Sequence, residues 1–249
     1  MMKTVRTRGL VLRTLPYSET SQIVWAFTKD VGVVHLLAKG SLRPPQKSSS
    51  FHGPLNLAGW YDLVFRRGRS EMHTIHEARL VEGFDHLRHD LRCYLDTCLA
   101  LEVMDKMFSP GDPHPRFLRG ALSYLKLLGV GRAQQALRIH FYSELLEECG
   151  FSPAWDCCAE TGEELPDAEN PVTVRLPQGV VSEVARRGGE MRVPRPTIDY
   201  LAVDRTFAWG QIPHHDPPRE LLKGAWKLLR SVLLYHLERA PRSLQYLRD

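Results

Sequence analysis

"TRGLVLRTLPYSETSQIVWAFTKDVGVVHLLAKGSLRPPQK", Thr7 to Lys47, alternates apolar and polar residues and breaks at turn-forming clusters. Successive side chains of a strand point to opposite faces, so this period of two predicts strands over Val5 to Leu15, Ile23 to Thr28 and Val33 to Lys39. The separators "PYSETS" (Pro16 to Ser21) and "KDVG" (Lys29 to Gly32) are short and turn-like. Two further runs, Leu57 to Phe65 and Met72 to Leu80, complete a set of five. They are parted by "GSLRPPQKSSSFHG" (Gly40 to Gly53) and "RRGRS" (Arg66 to Ser70). Five short strands in about 80 residues leave no room for βαβ crossovers, which points to a small closed barrel.

Beyond residue 80 the period changes to that of a helix. Leu91 to Met107 is apolar nearly all round, as a buried helix is. After the break "SPGDPHP" (Ser109 to Pro115), Arg116 to Leu128 reads as a second helix. Leu137, Phe141, Leu145 and Cys149 recur every four residues, and Gly150 with Pro153 soon after marks that helix's end. Leu221, Ala225, Leu228, Leu229 and Val232 place a last amphipathic helix. The expected fold class is therefore α+β and multidomain. A five-stranded OB-fold β-barrel occupies residues 1–80, and a mainly α-helical domain covers 81–249, interrupted by an acidic insert at about 152–197.

Charge is segmented along the chain. Residues 1–80 carry +7 and residues 140–190 carry −8, within a total of +4. A basic stretch attracts polyanions by releasing their counterions, so a nucleic-acid site is expected in the first 80 residues. No apolar run approaches the roughly 20 residues that span a bilayer, and the start lacks the apolar stretch of a signal peptide. A cytoplasmic protein is expected. The five cysteines, Cys93, Cys98, Cys149, Cys157 and Cys158, sit mostly in helical patterns and read as buried thiols, not a secreted disulfide framework.

Enzyme motifs are weak. His86 and His89 lack the acidic residue of a His-Glu-x-x-His helix, and His214 and His215 stand in a proline-rich loop where adjacent side chains diverge. There is no Gly-x-Ser-x-Gly elbow and no Walker lysine motif. A metal-dependent hydrolase is the distant alternative, and a protein-interaction adaptor with little DNA affinity the nearer one. A sequence-specific regulator would place its basic charge on a recognition helix, whereas here it lies on β-rich segments.

The stretch from Thr7 to Lys47 also resembles the opening of the bacterial RecO recombination-mediator family. It shows a Gly-x-Val-Leu strand, an acidic turn, a Phe-Thr-x-x-x-Gly hairpin and an Ala-Lys-Gly end, in that order. "FYSELLEECGFSPAWDCC" (Phe141 to Cys158) is similar to that family's helix leading to Gly-Phe-x-Pro and a cysteine. The resemblance implies an N-terminal OB-fold on a helical domain and no enzyme activity. It implies a nucleoid-associated protein that binds single-stranded DNA, with duplex DNA an open second, and anneals complementary strands. It also implies RecR as partner, and assistance to RecA on strands coated by single-strand binding protein.

OB-folds bind strands across their middle strands and in the loops between strands 1 and 2 and strands 4 and 5. The expected DNA-binding residues are Arg66, Arg67 and Arg69 in that second loop, and Lys39, Arg43 and Lys47 after strand 3, in a segment too rich in Pro and Ser to bury much. Trp25, Phe27, Trp60, Tyr61 and Phe65 are candidate stacking faces; alternation sends at least half inside, and Trp25 with Phe27 read as core. The family implies docking of the acidic tail of single-strand binding protein on the helical domain, for which Arg116, Arg119, Lys126 and Arg132 are the nearest cations.

Zinc-bearing relatives imply two Cys-x-x-Cys pairs at "CCAETG" and "GVVSEVA", where the in-frame residues are Cys158, Thr161, Ser182 and Ala185. With Cys158 the only remaining ligand, the insert reads as a degenerate zinc ribbon that needs no metal, and no cofactor is expected.

Overall fold

A computed structural model describes residues 4–44, 51, 53–68, 71–130, 133–165, 170–181 and 190–247. The first five strands are β1 (Thr4–Ser18), β2 (Ser21–Thr28), β3 (Gly32–Ala38), β4 (Trp60–Arg66) and β5 (Met72–Glu82). They close into a barrel in the order β1-β2-β3-β5-β4, with one parallel pair, β3 with β5. This is the topology of the expected OB-type barrel. Val11, Val24, Ala26, Leu36, Leu63, Phe65 and Ile75 fill the interior.

β1 is longer than its sequence pattern suggests. It runs through Pro16 to Ser18, which pairs with Ser21, so only Glu19 and Thr20 turn the hairpin. Pro16 is tolerated because the register shifts between it and Ser18, where a missing N–H breaks no ladder. At the next hairpin Gly32 adopts φ +67°, and a Cβ there would collide with the backbone of Asp112. Only glycine satisfies both demands.

The connection from β3 to β4 carries no helix in its described parts. It is tied to the barrel by Gln22, whose Oε1 accepts from Ser41 Oγ at 3.0 Å and from Leu55 N at 3.1 Å. Ser41 is fully buried, and Phe51 and Leu55 join the barrel core, so both flanks of the Pro- and Ser-rich stretch are anchored. The expectation that this segment buries little therefore fails at its ends. Residues 45–50 lie outside the described residues.

Alternation decides a second point. Because Val24 and Ala26 face inward, Trp25 and Phe27 point out of the barrel. Phe27 is fully buried as expected for core, but on the outer surface, stacked on Phe108 at 4.8 Å between ring centroids and tilted against Phe117 at 6.3 Å. Trp25 is half-buried and stays accessible, contrary to the expectation that it belongs to the core.

α1 (Leu91–Met107) starts at Asp90, whose carboxylate caps the helix by accepting from Cys93 N at 2.9 Å. Glu102 of α1 accepts from the backbone N–H of Arg242 and Ser243, holding the 3-10 turn Arg242–Tyr246 on the same compact unit. That unit comprises residues up to Arg119 together with Pro241–Leu247, and the second is Gly120–Ala240. α2 (Pro115–Leu127) passes from one to the other at Arg119–Gly120.

In the second unit α3 (Gln134–Glu148) packs against α4 (Arg195–Asp204) and α5 (Arg219–His236). α5 turns Leu222, Ala225, Trp226, Leu229 and Val232 inward. Gly150, φ +73°, ends α3 with Phe151 N donating to the Leu146 carbonyl. The insert expected to run to about residue 197 overlaps the start of α4, which has Pro194 before it and Pro196 in its first turn. Proline is tolerated in a first helical turn, whose N–H groups have no partner in the helix. The insert contributes a three-stranded sheet of β6 (Val172–Arg175), β7 (Gly179–Val180) and β8 (Met191–Val193), in the order β7-β6-β8. No helix among the described residues is long and apolar enough to cross a membrane.

Candidate nucleic-acid interface

The outward faces of β1, β2 and β3 form a strip beyond the part covered by Phe108 and Phe117. Ladder register sets its rows: Arg13 lies opposite Trp25 and Trp25 opposite His35, while Leu15 lies opposite Ile23 and Ile23 opposite Leu37. The Arg13 guanidinium rests 4.5 Å from the centroid of Trp25, and the His35 ring is 5.7 Å from it on the other side. A cation over an indole fixes the indole's orientation while leaving part of its area accessible. A half-exposed ring with a cation beside it is the arrangement from which stacking platforms are built.

Each end of the strip has a hollow. At the exit of β3 a space of about 300 Å³ is lined by Tyr17, Ser18, Leu37, Lys39 and Arg43. Tyr17 is 63% exposed at the tip of the β1–β2 hairpin, where nothing buries a ring of that size. At the other end, beside the β4–β5 loop, a space of about 280 Å³ is lined by Arg67, Glu71, His35 and His73 among others. Burial pushes the His73 imidazole below its ordinary value, and the nearby Arg67 and His35 add to the effect, which favours the neutral ring at pH 7.

Lys39 and Arg43 thus stand at one end of β3 and Arg67 at the other, while Arg66 shares the outward face of β4 with Trp60 and Asp62. Lys39 and Arg43 are exposed at the β3 exit, and Arg66 and Arg67 at the β4–β5 turn, where Arg66 pairs with Thr4 and Thr74. Lys47 and Arg69 lie outside the described residues. Tyr61 and Phe65 point into the barrel, and Trp60 is half-buried on its outer face. Arg13, Tyr17, His35 and His73 were not singled out by sequence. For Arg13 and His35 the signal was parity, since both lie opposite outward-facing Trp25, whereas His73 shares the parity of core Ile75, lies opposite core Leu36 and stacks on Phe65 at 5.7 Å between ring centroids.

On α2, Arg116, Arg119 and Lys126 are exposed, while Arg132 lies outside the described residues. In the insert, Cys158 is buried and its N–H donates to the Glu163 carbonyl at 2.8 Å, while Thr161 Oγ1 donates to Glu163. Arg175 of β6 pairs with Glu190 at 2.8 Å and with Glu160, cross-linking the small sheet electrostatically. Ser182 and Ala185 fall outside the described residues. Among those described, no group of three or more His, Cys, Asp or Glu is placed to hold a metal ion.

Residues 2–84 match the family model described as Recombination protein O N terminal, and residues 88–245 match the one described as Recombination protein O C terminal. The chain is similar to a DNA repair protein RecO from Geobacter metallireducens, 28% identical over 248 residues, covering 100% of this chain and 98% of that one. A DNA repair protein RecO from Geobacter sulfurreducens is 29% identical over 250 residues, 100% and 99% of the two chains. One from Salinibacter ruber is 32% identical over 165 residues, 64% and 62% of the two.

Proposed function

The chain belongs to the RecO family of DNA repair proteins, and from that premise we propose that it is a non-enzymatic recombination mediator. It binds single-stranded DNA, anneals complementary strands and assists RecA on strands coated by single-strand binding protein. RecR and the acidic tail of single-strand binding protein are its protein partners, and it works in the cytoplasm at the nucleoid. The observation that carries this reading is the continuous path over β2 and β3. It runs from Lys39, Arg43 and Tyr17 past the Arg13–Trp25–His35 row to Arg67, to which Arg66 is the chain neighbour. Cations along such a path hold phosphates without reading bases, and half-exposed rings accept bases of any kind. That combination suits a factor that must act on every sequence. Arg116, Arg119, Lys126 and Arg132 are proposed for the tail of single-strand binding protein.

The test is annealing of complementary oligonucleotides, bare and coated with single-strand binding protein. The protein is expected to accelerate the reaction by about 10- to 1000-fold, the range that electrostatic concentration of partners provides, and to lose that advantage at high salt. No acceleration and no salt-sensitive binding would leave the adaptor reading in its place.

The insert is proposed to be held by its own packing and by Arg175 instead of zinc. Thr, Ser and Ala at three of the four in-frame positions are not thiolates, and a structural zinc needs four ligands. Elemental analysis of purified protein is expected to find well under one equivalent of zinc, and a chelator should leave the melting temperature unchanged. Stoichiometric zinc would overturn this.

A further inference from the structure

A second basic surface lies on the other side of the barrel, away from the path over β2 and β3. The first half of β1 alternates so that Arg6 and Arg8 point outward, and β4 and β5 contribute Trp60, Asp62 and Arg79 to the same face. Together with Lys29 they line a groove of about 710 Å³. Asp62 sits between two strands' guanidiniums, with Arg79 Nη2 at 2.6 Å and Arg8 Nε at 2.8 Å. These two bonds, that from Arg79 foremost, hold the Asp62 carboxyl below the ordinary carboxylate range, so it stays ionised and both arginines stay oriented. A guanidinium has five N–H donors, and each of these gives one to Asp62 in the bonds described. Side-chain exposures of 55% for Arg8 and 69% for Arg79 leave the remaining donors turned to solvent.

The groove's carboxylates do not cancel its charge. Besides Arg119 of α2, four cationic side chains line it, Arg6, Arg8, Lys29 and Arg79, against three acidic ones, Asp30, Asp62 and Glu77. Of those three, Asp62 is shared by two arginines and Asp30 accepts from the Thr7 hydroxyl at 2.6 Å. Arg6 and Arg8 are two residues apart on one strand, about 7 Å at the rise of an antiparallel strand. That matches one nucleotide step of an extended single strand. Trp60 adds a half-buried indole within the same lining.

We infer that this groove binds a second single strand of nucleic acid through its phosphates while the β2–β3 path holds the first. The inference rests on the proposed function, and it supplies what annealing needs mechanically: two like-charged strands held on one small barrel, their repulsion offset by cations on separate faces. A polyanionic peptide would be drawn by the same charge. The ordered guanidinium pair and the indole beside it favour phosphate and base.

The test uses the full chain with Arg6 and Lys29 replaced by alanine, both exposed and outside the Asp62 pairing. Wild type is expected to bind two equivalents of a short oligothymidylate per chain. The variant should keep the first at wild-type affinity and bind the second about 20-fold more weakly at 0.1 M salt, since two phosphate contacts carry a slope of about 1.4 in log affinity against log salt. Its annealing rate should fall by a similar factor, with an unchanged melting temperature.

Alanine at Arg66, Arg67 and Arg69 should do the reverse and weaken the first equivalent. A variant that retains the second equivalent and full annealing overturns the inference and leaves the proposed function standing. Wild type that binds no oligonucleotide overturns the proposed function itself. If polyglutamate binding falls in the variant while binding of the second oligonucleotide does not, the groove belongs to an acidic peptide.

Discussion

Alanine at Arg66, Arg67 and Arg69 together is expected to weaken single-strand binding by about 100-fold at 0.1 M salt. Arg66, Arg67, Arg69, Lys39, Arg43 and Lys47 would release up to about six counterions, for a slope of roughly −3 to −4 in log affinity against log salt. Removing three contacts at about 0.7 each lowers the slope by about 2, and two log units separate the curves between 1 M and 0.1 M. The loss should be the same for every base sequence, because phosphate contacts position a strand without reading it. Trp25→Ala should behave differently, costing about 1–3 kcal/mol through lost stacking with little change in slope.

The same titration has a pH arm. His73 sits beside Arg67 with its pKa depressed by burial, so in free protein it gains charge only below its ordinary value. A bound phosphate favours the charged ring, hence binding takes up a proton, and affinity should rise as pH falls from 7.5 to 6. His73→Gln should flatten that rise. A triple arginine variant with wild-type affinity and slope would remove the β4–β5 loop from the site.

Phe27→Ala is expected to destabilise the barrel unit by about 3–5 kcal/mol, the range for truncating a buried aromatic ring. Phe27 is 0% exposed and touches Phe108 and Phe117 face to face or tilted, so its loss opens a cavity lined by rings that cannot collapse onto β2. A lower urea midpoint with an unchanged denaturant slope is the expected signature. The matching truncation at Trp25, which is half-buried, should cost far less stability. Equal losses at the two positions would contradict their separation into buried outer surface and accessible platform.

This pair also shows what sequence pattern conveys. Trp25 and Phe27 share a face by simple alternation, and that much was legible. Which face it was could not be read, because both sides of β2 are apolar near Phe27: one meets the barrel interior, the other Phe108 and Phe117. A strand buried on both sides loses the polar half of its alternation. The loop arginines were legible for the opposite reason. Turn residues carry no core, so charge gathered there stands out from its neighbours.

By itself, the sequence determined the five strands and their hairpins, the buried α1, the Gly150 helix end and the concentration of positive charge in the first 80 residues. All are local properties, written in a period of two or four residues or in a single turn. Tertiary structure alone decided which cations share a surface. Arg8 and Arg79 are 71 positions apart in the chain, yet both reach Asp62, because β4 pairs with β1 on one edge and with β5 on the other, which sets Asp62 opposite both. Barrel closure fixes the ladder registers of non-adjacent strands, and those registers, invisible to local periodicity, divide the basic residues between two faces.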